Sequence, residues 1–326
     1  MKAITLKGFG DTDMLQYSNV ETPAPAEGQI LIQVKATSVN RPDIIQRQGN
    51  YPAPPGDSEI LGLEVAGIVE AVGPKTSVYK KGDRVFALVG GGGYAEYAVA
   101  LESHCMRIPD VLSFEQAACI CETYITAYLN LFKLGELQGK RSVLIHGGGG
   151  GVATAAIQLC RALSPETEIF VTASAPKIER IKQLGANHVF DYREQDFAAE
   201  IKNLTKKRGV DVVLDHIGAQ YLESNLKSLA VYGRLVLIGV MGGIKAEVNL
   251  AMVMVKRQQI IGSVLRSRSI TEKAAIIRQF EITAIPLFAN GVIEPLIEAK
   301  YPLSEASKAH QLMEKGGHFG KIVLLP

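Results

Sequence analysis

The sequence is poor in cysteine, in net charge and in long apolar runs. Four cysteines in 326 residues do not make a disulfide framework, so a reduced, cytoplasmic protein is expected. Lys and Arg number 35 against 33 Asp and Glu, a net charge of +2. That balance gives no electrostatic case for nucleic acid or an anionic membrane. No apolar run reaches the roughly 18 residues of a membrane span, and the N-terminus, MKAITLKGFGD, has no signal-peptide h-region. What is present is 47% hydrophobic residues in a chain long enough for two domains.

The hydrophobic period changes along the chain. Up to about Glu122, short alternating segments such as GQILIQVKATSV (28–39), GDRVFALV (82–89) and GYAEYAVA (93–100) are broken by Gly and Pro. They predict an all-β core, a small barrel. EILGLEVAGIVEAVG (59–73) reads as a strand pair with glycine breaks. From about Thr123 the pattern becomes strand then helix. SVLIH (142–146), EIFVT (168–172), HVF (188–190), VDVVLD (210–215), RLVLIG (234–239) and IIGSV (260–264) are separated by helix-length segments. Six such strands predict a doubly wound parallel sheet of the Rossmann type. The tail, a helical stretch and then GKIVLLP, is expected to return to the first domain. The expected division is 1–122 with 264–326, and 123–263.

Five consecutive glycines, 147–151, follow the first of these strands and open an alanine-rich amphipathic helix. Gly148, Gly150 and Ala153 fit the G-x-G-x-x-G/A dinucleotide fingerprint: a tight turn, a backbone that nears a pyrophosphate, and a small residue where helix packs on strand. Backbone N–H groups at the helix start then face the phosphates. The second strand ends in Thr172, Ala173 and Ser174, followed by Lys177. A hydroxyl and a cation, with no carboxylate, suit a 2′-phosphate and favour NADP(H); Glu168 lies at the wrong end of its strand. His146 reads as structural, and His216 as a candidate groove residue.

The motifs SVNRPDIIQRQGNYPAPPG (38–56), ILGLEVAG (60–67), LIHGGGGGVATAAIQL (144–159), FDYREQDF (190–197), GVMGG (239–243) and VLRSR (264–268) carry a resemblance over the whole chain. It resembles the zinc-independent medium-chain dehydrogenases/reductases, specifically the quinone oxidoreductases, and among them the tumour-suppressor-inducible subfamily. The resemblance implies a GroES-like catalytic domain beside the Rossmann domain, NADPH as cofactor, and a homodimer or homotetramer. It implies a phosphate loop of Gly149, Gly150, Gly151 and Val152, and a 2′-phosphate region of Ser174, Lys177 and Tyr192. It places Asn40, Thr126, Gly239, Val240, Met241, Gly242, Val264, Leu265 and Arg266 at the nicotinamide side.

The metal of the zinc-dependent relatives is not expected. Their GHExxG motif reads GLEVAG here, with Leu63 in the histidine position, and Cys119-x-Cys121 has the wrong spacing for paired ligands. Hydride transfer needs no metal, because the cofactor carries the hard step. Tyr51, before a proline-stiffened loop, is the candidate gate, quinone-stacking face or proton donor; a water ordered by Asn40 and bulk solvent are the other proton sources. The acceptor is expected to be a quinone. An α,β-unsaturated carbonyl (a 2-alkenal or enone) is the alternative, and an NADPH-binding structural or RNA-associated protein is the reading from another class.

Overall fold

The segments after residue 126 form one six-stranded, wholly parallel sheet in a computed structural model that describes residues 1–326. Its strands are Ser142–Ile145, Glu168–Ala173, His188–Asp191, Val210–Asp215, Leu229–Leu237 and Gln259–Gly262. Their spatial order is third, second, first, fourth, fifth, sixth. The order reverses between Ser142–Ile145 and Val210–Asp215, so a crevice opens beyond their carboxyl ends. The strands are apolar runs because helices cover a parallel sheet. Leu144, Phe170, Phe190, Val213 and Leu235 join Phe197, Ile201 and Leu226 from the crossovers in one buried cluster.

The helix Gly151–Leu163 buries Ala155, Ala156, Ile157, Leu159 and Cys160 completely. Small residues let it lie close to the strand, and burial of Ile157 or Leu159 contributes about 1.5–3 kcal/mol each. The helix stops at Ser164, before Pro165, which disfavours helical backbone in the residue ahead of it.

The chain folds into two compact units, Met1–Ile125 with Arg266–Pro326, and Thr126–Leu265. The first unit is organised by the strand Gln29–Val39. One of its edges pairs antiparallel with Glu64–Val72. Its other edge pairs with Tyr97–Leu101 through Gln29–Gln33, and with Lys321–Leu325 through Thr37–Val39. Register shifts along the pairing with Glu64–Val72 bend the strand. The tail supplies both Lys321–Leu325 and the helix Ile270–Ala289, which starts at a Ser269/Glu272 capping box.

Two local expectations are corrected by the structure. Residues 59–73 form one strand, Glu64–Val72, not a pair. Gly62 has φ +99° and lies against Gly93 and the Tyr94 ring, and the carbonyls of residues 60–63 accept from the backbone N–H groups of Gly92, Tyr94, Gly93 and Val89 without forming a strand of their own. The fifth parallel strand begins at Leu229, five residues earlier than the apolar run indicated. Tyr232, at φ +62°, interrupts the hydrophobic period there.

Candidate functional site

In the second unit, a groove of about 420 Å³ lies at the carboxyl ends of the parallel strands. Gly147 and Gly149 line it from the first strand, Thr172, Ala173, Ser174 and Lys177 from the second, and Tyr192 from beyond the third. His216, Ile217, Gln220 and Tyr221 follow the fourth strand, and Met241 and Gly242 the fifth. No carboxylate is among the lining residues.

The glycine loop divides its work differently from the fingerprint. The positive φ, +63°, belongs to Gly147, whereas Gly150 is ordinary extended backbone at φ −79° and caps the helix. A Cβ on Gly147 would lie 2.4 Å from Cε1 of His216. A Cβ on Gly148 would lie 2.3 Å from Val171 and 2.7 Å from Ile181, so that glycine serves packing. A Cβ on Gly149 would lie 2.3 Å from Cδ of Lys177, whose side chain crosses the loop there. Gly150 would meet only the Gly147 carbonyl, at 3.4 Å. Gly147 and Gly148 therefore exclude a side chain, whereas at Gly149 only the flexible end of Lys177 would have to shift, and the cradle that results presents backbone, as a phosphate site requires.

A buried chain of hydrogen bonds holds the floor of the groove. Asp215 accepts from the backbone N–H of Ile217 at 2.6 Å and from Asn225 Nδ2 at 3.0 Å. Asn225 Oδ1 lies 2.7 Å from His146 Nε2, and His146 Nδ1 lies 2.8 Å from Thr172 Oγ1. With its amide nitrogen committed to Asp215, Asn225 can only accept from the histidine. That assigns the proton to Nε2 and makes Nδ1 the acceptor of the threonine hydroxyl. Burial pushes His146 down to about 3, so it is neutral, and lifts Asp215 to about 6. His146 thus joins three strand ends as a structural residue, and His216 lines the groove.

The residues expected at the nicotinamide side have varied surroundings. Gly239 approaches His216, and Gly242 packs on Ile217 and Gln220. Val240, Met241 and Val264 are exposed, and Leu265 is buried. Thr126 is partly buried, and its carbonyl accepts from Asn130 Nδ2 at 2.7 Å.

In the first unit, Asn40 is buried and its side chain is committed. Nδ2 donates to Glu64 Oε1 at 2.9 Å, and Oδ1 accepts from Lys321 Nζ at 2.5 Å. Glu64 and Lys321 form a buried ion pair at 3.1 Å. Ser38 Oγ donates to the same Glu64 oxygen. Arg266 is buried as well, donating to the Gly90 carbonyl, to Gln46 Oε1 at 2.8 Å and to the Tyr51 carbonyl. Its guanidinium lies 5.1 Å from the centre of the Tyr51 ring, a cation–π distance. Asn40 and Arg266 are therefore engaged by the chain itself. Tyr51 is partly buried with its ring backed by Arg266, and burial lifts its phenol above the ordinary range.

Sequence reasoning missed Glu122, which lies at the start of the helix Cys121–Tyr128. Its backbone N–H donates to Glu64 Oε2 at 2.9 Å. Burial and the Glu64 carboxylate push its own carboxyl up to about 8. No motif marks it; the only signal is a carboxylate inside the apolar run AACICETYITAY.

A structural zinc or catalytic zinc does not fit this chain: no three His, Cys, Asp or Glu side chains converge, and Leu63 is buried apolar core.

Residues 26–110 match the alcohol dehydrogenase GroES-like domain, and residues 151–280 match the family described as zinc-binding dehydrogenase. A quinone oxidoreductase of Lama guanicoe is 36% identical over 329 residues, covering 100% of this chain and 97% of the relative. A human quinone oxidoreductase is 35% identical, covering 100% and 98%. A Pseudomonas syringae quinone oxidoreductase structure superposes with TM-score 0.90 at 31% identity, covering 100% of this chain and 99% of that one. A mycobacterial protein solved as a complex with NADPH superposes with TM-score 0.89 at 31% identity, covering 100% of both chains.

Proposed function

Because the chain belongs to the quinone oxidoreductase family of medium-chain dehydrogenases/reductases, we propose that it reduces quinones with NADPH and without a metal. It is an oxidoreductase of a family that binds a nicotinamide cofactor. The observation that carries the finer reading is the make-up of the groove. Side chains are excluded at Gly147 and Gly148, Ser174 and Lys177 line the groove where a 2′-phosphate would lie, and no carboxylate opposes it. Residues 147 to 152 would hold the pyrophosphate by backbone N–H groups. Ser174, Lys177 and Tyr192 would hold the 2′-phosphate, and residues 239 to 242 would border the nicotinamide with Thr126, Val264 and Leu265. When bound, the dihydronicotinamide supplies the hydride.

Tyr51 would offer its ring as the stacking face for a flat acceptor, held in place by Arg266. Asn40 acts through Glu64 and Lys321, ordering the first unit's polar cluster. We also place the enzyme in a reducing compartment such as the cytoplasm, since all four cysteines are free and buried. A homodimer or homotetramer is supported by the strand Gln259–Gly262, an open sheet edge, and by the helix Leu250–Lys256, which buries none of its residues. Leu250, Met254 and Val255 are 75%, 71% and 66% exposed, an apolar surface that suits a second copy.

The test follows NADPH absorbance with ortho-quinones, para-quinones and 2-alkenals in the presence of a strong chelator. Quinone turnover undiminished by the chelator is expected. Faster turnover of alkenals would favour the enone reading, and tight NADPH binding with no turnover of any acceptor would overturn both.

A further inference from the structure

We propose that His216 is a side-chain ligand of the cofactor's pyrophosphate, binding it as an imidazolium and taking up a proton from water when the dinucleotide enters the groove. This inference rests on the nicotinamide-cofactor part of the reading above and adds a residue that the glycine fingerprint does not contain.

The topology puts this histidine at the crevice. His216 is the first residue beyond the strand Val210–Asp215, and Gly147 opens the glycine loop after the strand Ser142–Ile145. These two strands pair with each other where the sheet order reverses, and ligands of such sheets lie at that point. A Cβ placed on Gly147 would lie 2.4 Å from Cε1 and 2.5 Å from Nε2 of His216, but 3.7 Å from Nδ1. The Cε1–Nε2 edge of the ring is therefore the one turned to the loop. Gly239 comes so close that a Cβ on it would lie 3.2 Å from the His216 Cβ. The Met241 backbone N–H donates to the His216 carbonyl at 3.1 Å, and the N–H groups of Ile217 and Gly218 donate to the Asp215 carboxyl. The histidine is thus fixed from both sides of the chain, and its side chain lines the groove partly open to solvent.

Charge then decides the state of the imidazole. The groups that face it are Lys177 from the end of the second strand, the phenols of Tyr192 and Tyr221, and Asp215 and His146 on the groove floor. Asp215 already accepts from Ile217, Gly218 and Asn225, and burial keeps His146 neutral. No carboxylate lines the groove to hold the imidazole charged. With the groove empty, the Lys177 ammonium opposes a second positive charge, and a bound pyrophosphate anion reverses that balance. Binding therefore takes up a proton, and by linkage cofactor affinity rises as pH falls through the range in which an imidazole titrates. Lys177 and His216 then serve different parts of the cofactor. Lys177, beside Ser174, meets the 2′-phosphate that only NADPH carries. His216, at the reversal of strand order, meets the pyrophosphate that NADH and NADPH share.

The experiment uses the full-length protein, with NADH as the probe because it has no 2′-phosphate to titrate. The wild-type Kd for NADH, read by fluorescence titration, should rise about tenfold between about pH 5 and pH 8. Calorimetry at one pH in two buffers of different ionisation enthalpy should show proton uptake on binding. His216→Asn and His216→Gln should lose both the pH slope and the proton uptake. At acid pH they should weaken NADH and NADPH by the same factor, whereas Lys177→Ala weakens NADPH far more than NADH. Burial lifts Asp215 to about 6, so it is the other group able to titrate here. Proton uptake that survives in both His216 variants assigns the titration to Asp215 and overturns the proposal. A wild-type Kd for NADH that does not change with pH overturns the proposal too and leaves the cofactor reading standing. A wild-type protein that binds neither cofactor at any pH overturns the cofactor reading and the proposal together.

Discussion

The groove of the second unit is built from backbone and short local turns, whereas the polar cluster of the first unit is built from side chains far apart in sequence. Gly147, Gly148 and Gly149 are consecutive, and a Cβ at each would meet a neighbouring side chain. Asn40, Glu64 and Lys321 come together because the strand Gln29–Val39 pairs with both Glu64–Val72 and the chain's last strand. A backbone site fails where a Cβ is forced into it. A side-chain site depends on every charge having its partner. The two units should therefore fail differently when altered.

The largest effect is expected in the first unit. Lys321→Met removes the only cation paired with Glu64 and leaves a buried carboxylate uncompensated. Unfolding in denaturant should show a loss of about 3–5 kcal/mol, and a loss under about 1 kcal/mol would mean that Glu64 is neutral in the fold. Next comes the loop. Gly147→Ala forces a Cβ into the left-handed region and into the His216 ring, so NADPH affinity measured by titration should fall about 100-fold. Gly150→Ala, three residues on, should cost less than about tenfold, because only one carbonyl is near. Equal losses would break the division of labour within the loop.

A smaller effect separates the cofactors. Lys177→Ala should weaken NADPH about tenfold while leaving NADH nearly unchanged, and equal losses for both would remove Lys177 from the 2′-phosphate site. The last concerns pH. The folded protein holds the Glu122 proton up to about 8, while an unfolded glutamate releases it near its ordinary value of 4.5. Between those values the folded state binds more protons, so stability falls as pH rises and levels off above about 8. Glu122→Gln should flatten that slope, visible as a Tm advantage over wild type that grows from acid to alkaline pH.

Legibility in the sequence follows the same division. The parallel sheet announces itself because strands covered by helices are continuous apolar runs, and VDVVLD maps onto Val210–Asp215 without error. The glycine run marks the groove, since a backbone site needs glycine and glycine is visible. Which glycine carries the turn was not legible, because five in a row match the fingerprint in more than one register. Ser174 and Lys177 were found by their place after a strand end and Tyr192 through the family resemblance, and all three line the groove. The first unit was harder to read. Arg266 and Asn40 looked free to meet a ligand, but their partners at Gly90 and Lys321 lie 176 and 281 residues away. Glu122 was invisible for the same reason: its neighbour Glu64 is 58 residues distant, and no local pattern encodes a carboxylate left without a cation.

A crystal structure of the enzyme grown with NADPH tests the backbone cradle most directly. The pyrophosphate should rest on backbone N–H groups between Gly147 and Val152 with no side-chain ligand from the loop, and the 2′-phosphate should contact Ser174 and Lys177. A pyrophosphate held away from the glycine loop, or a 2′-phosphate touching neither residue, would contradict it.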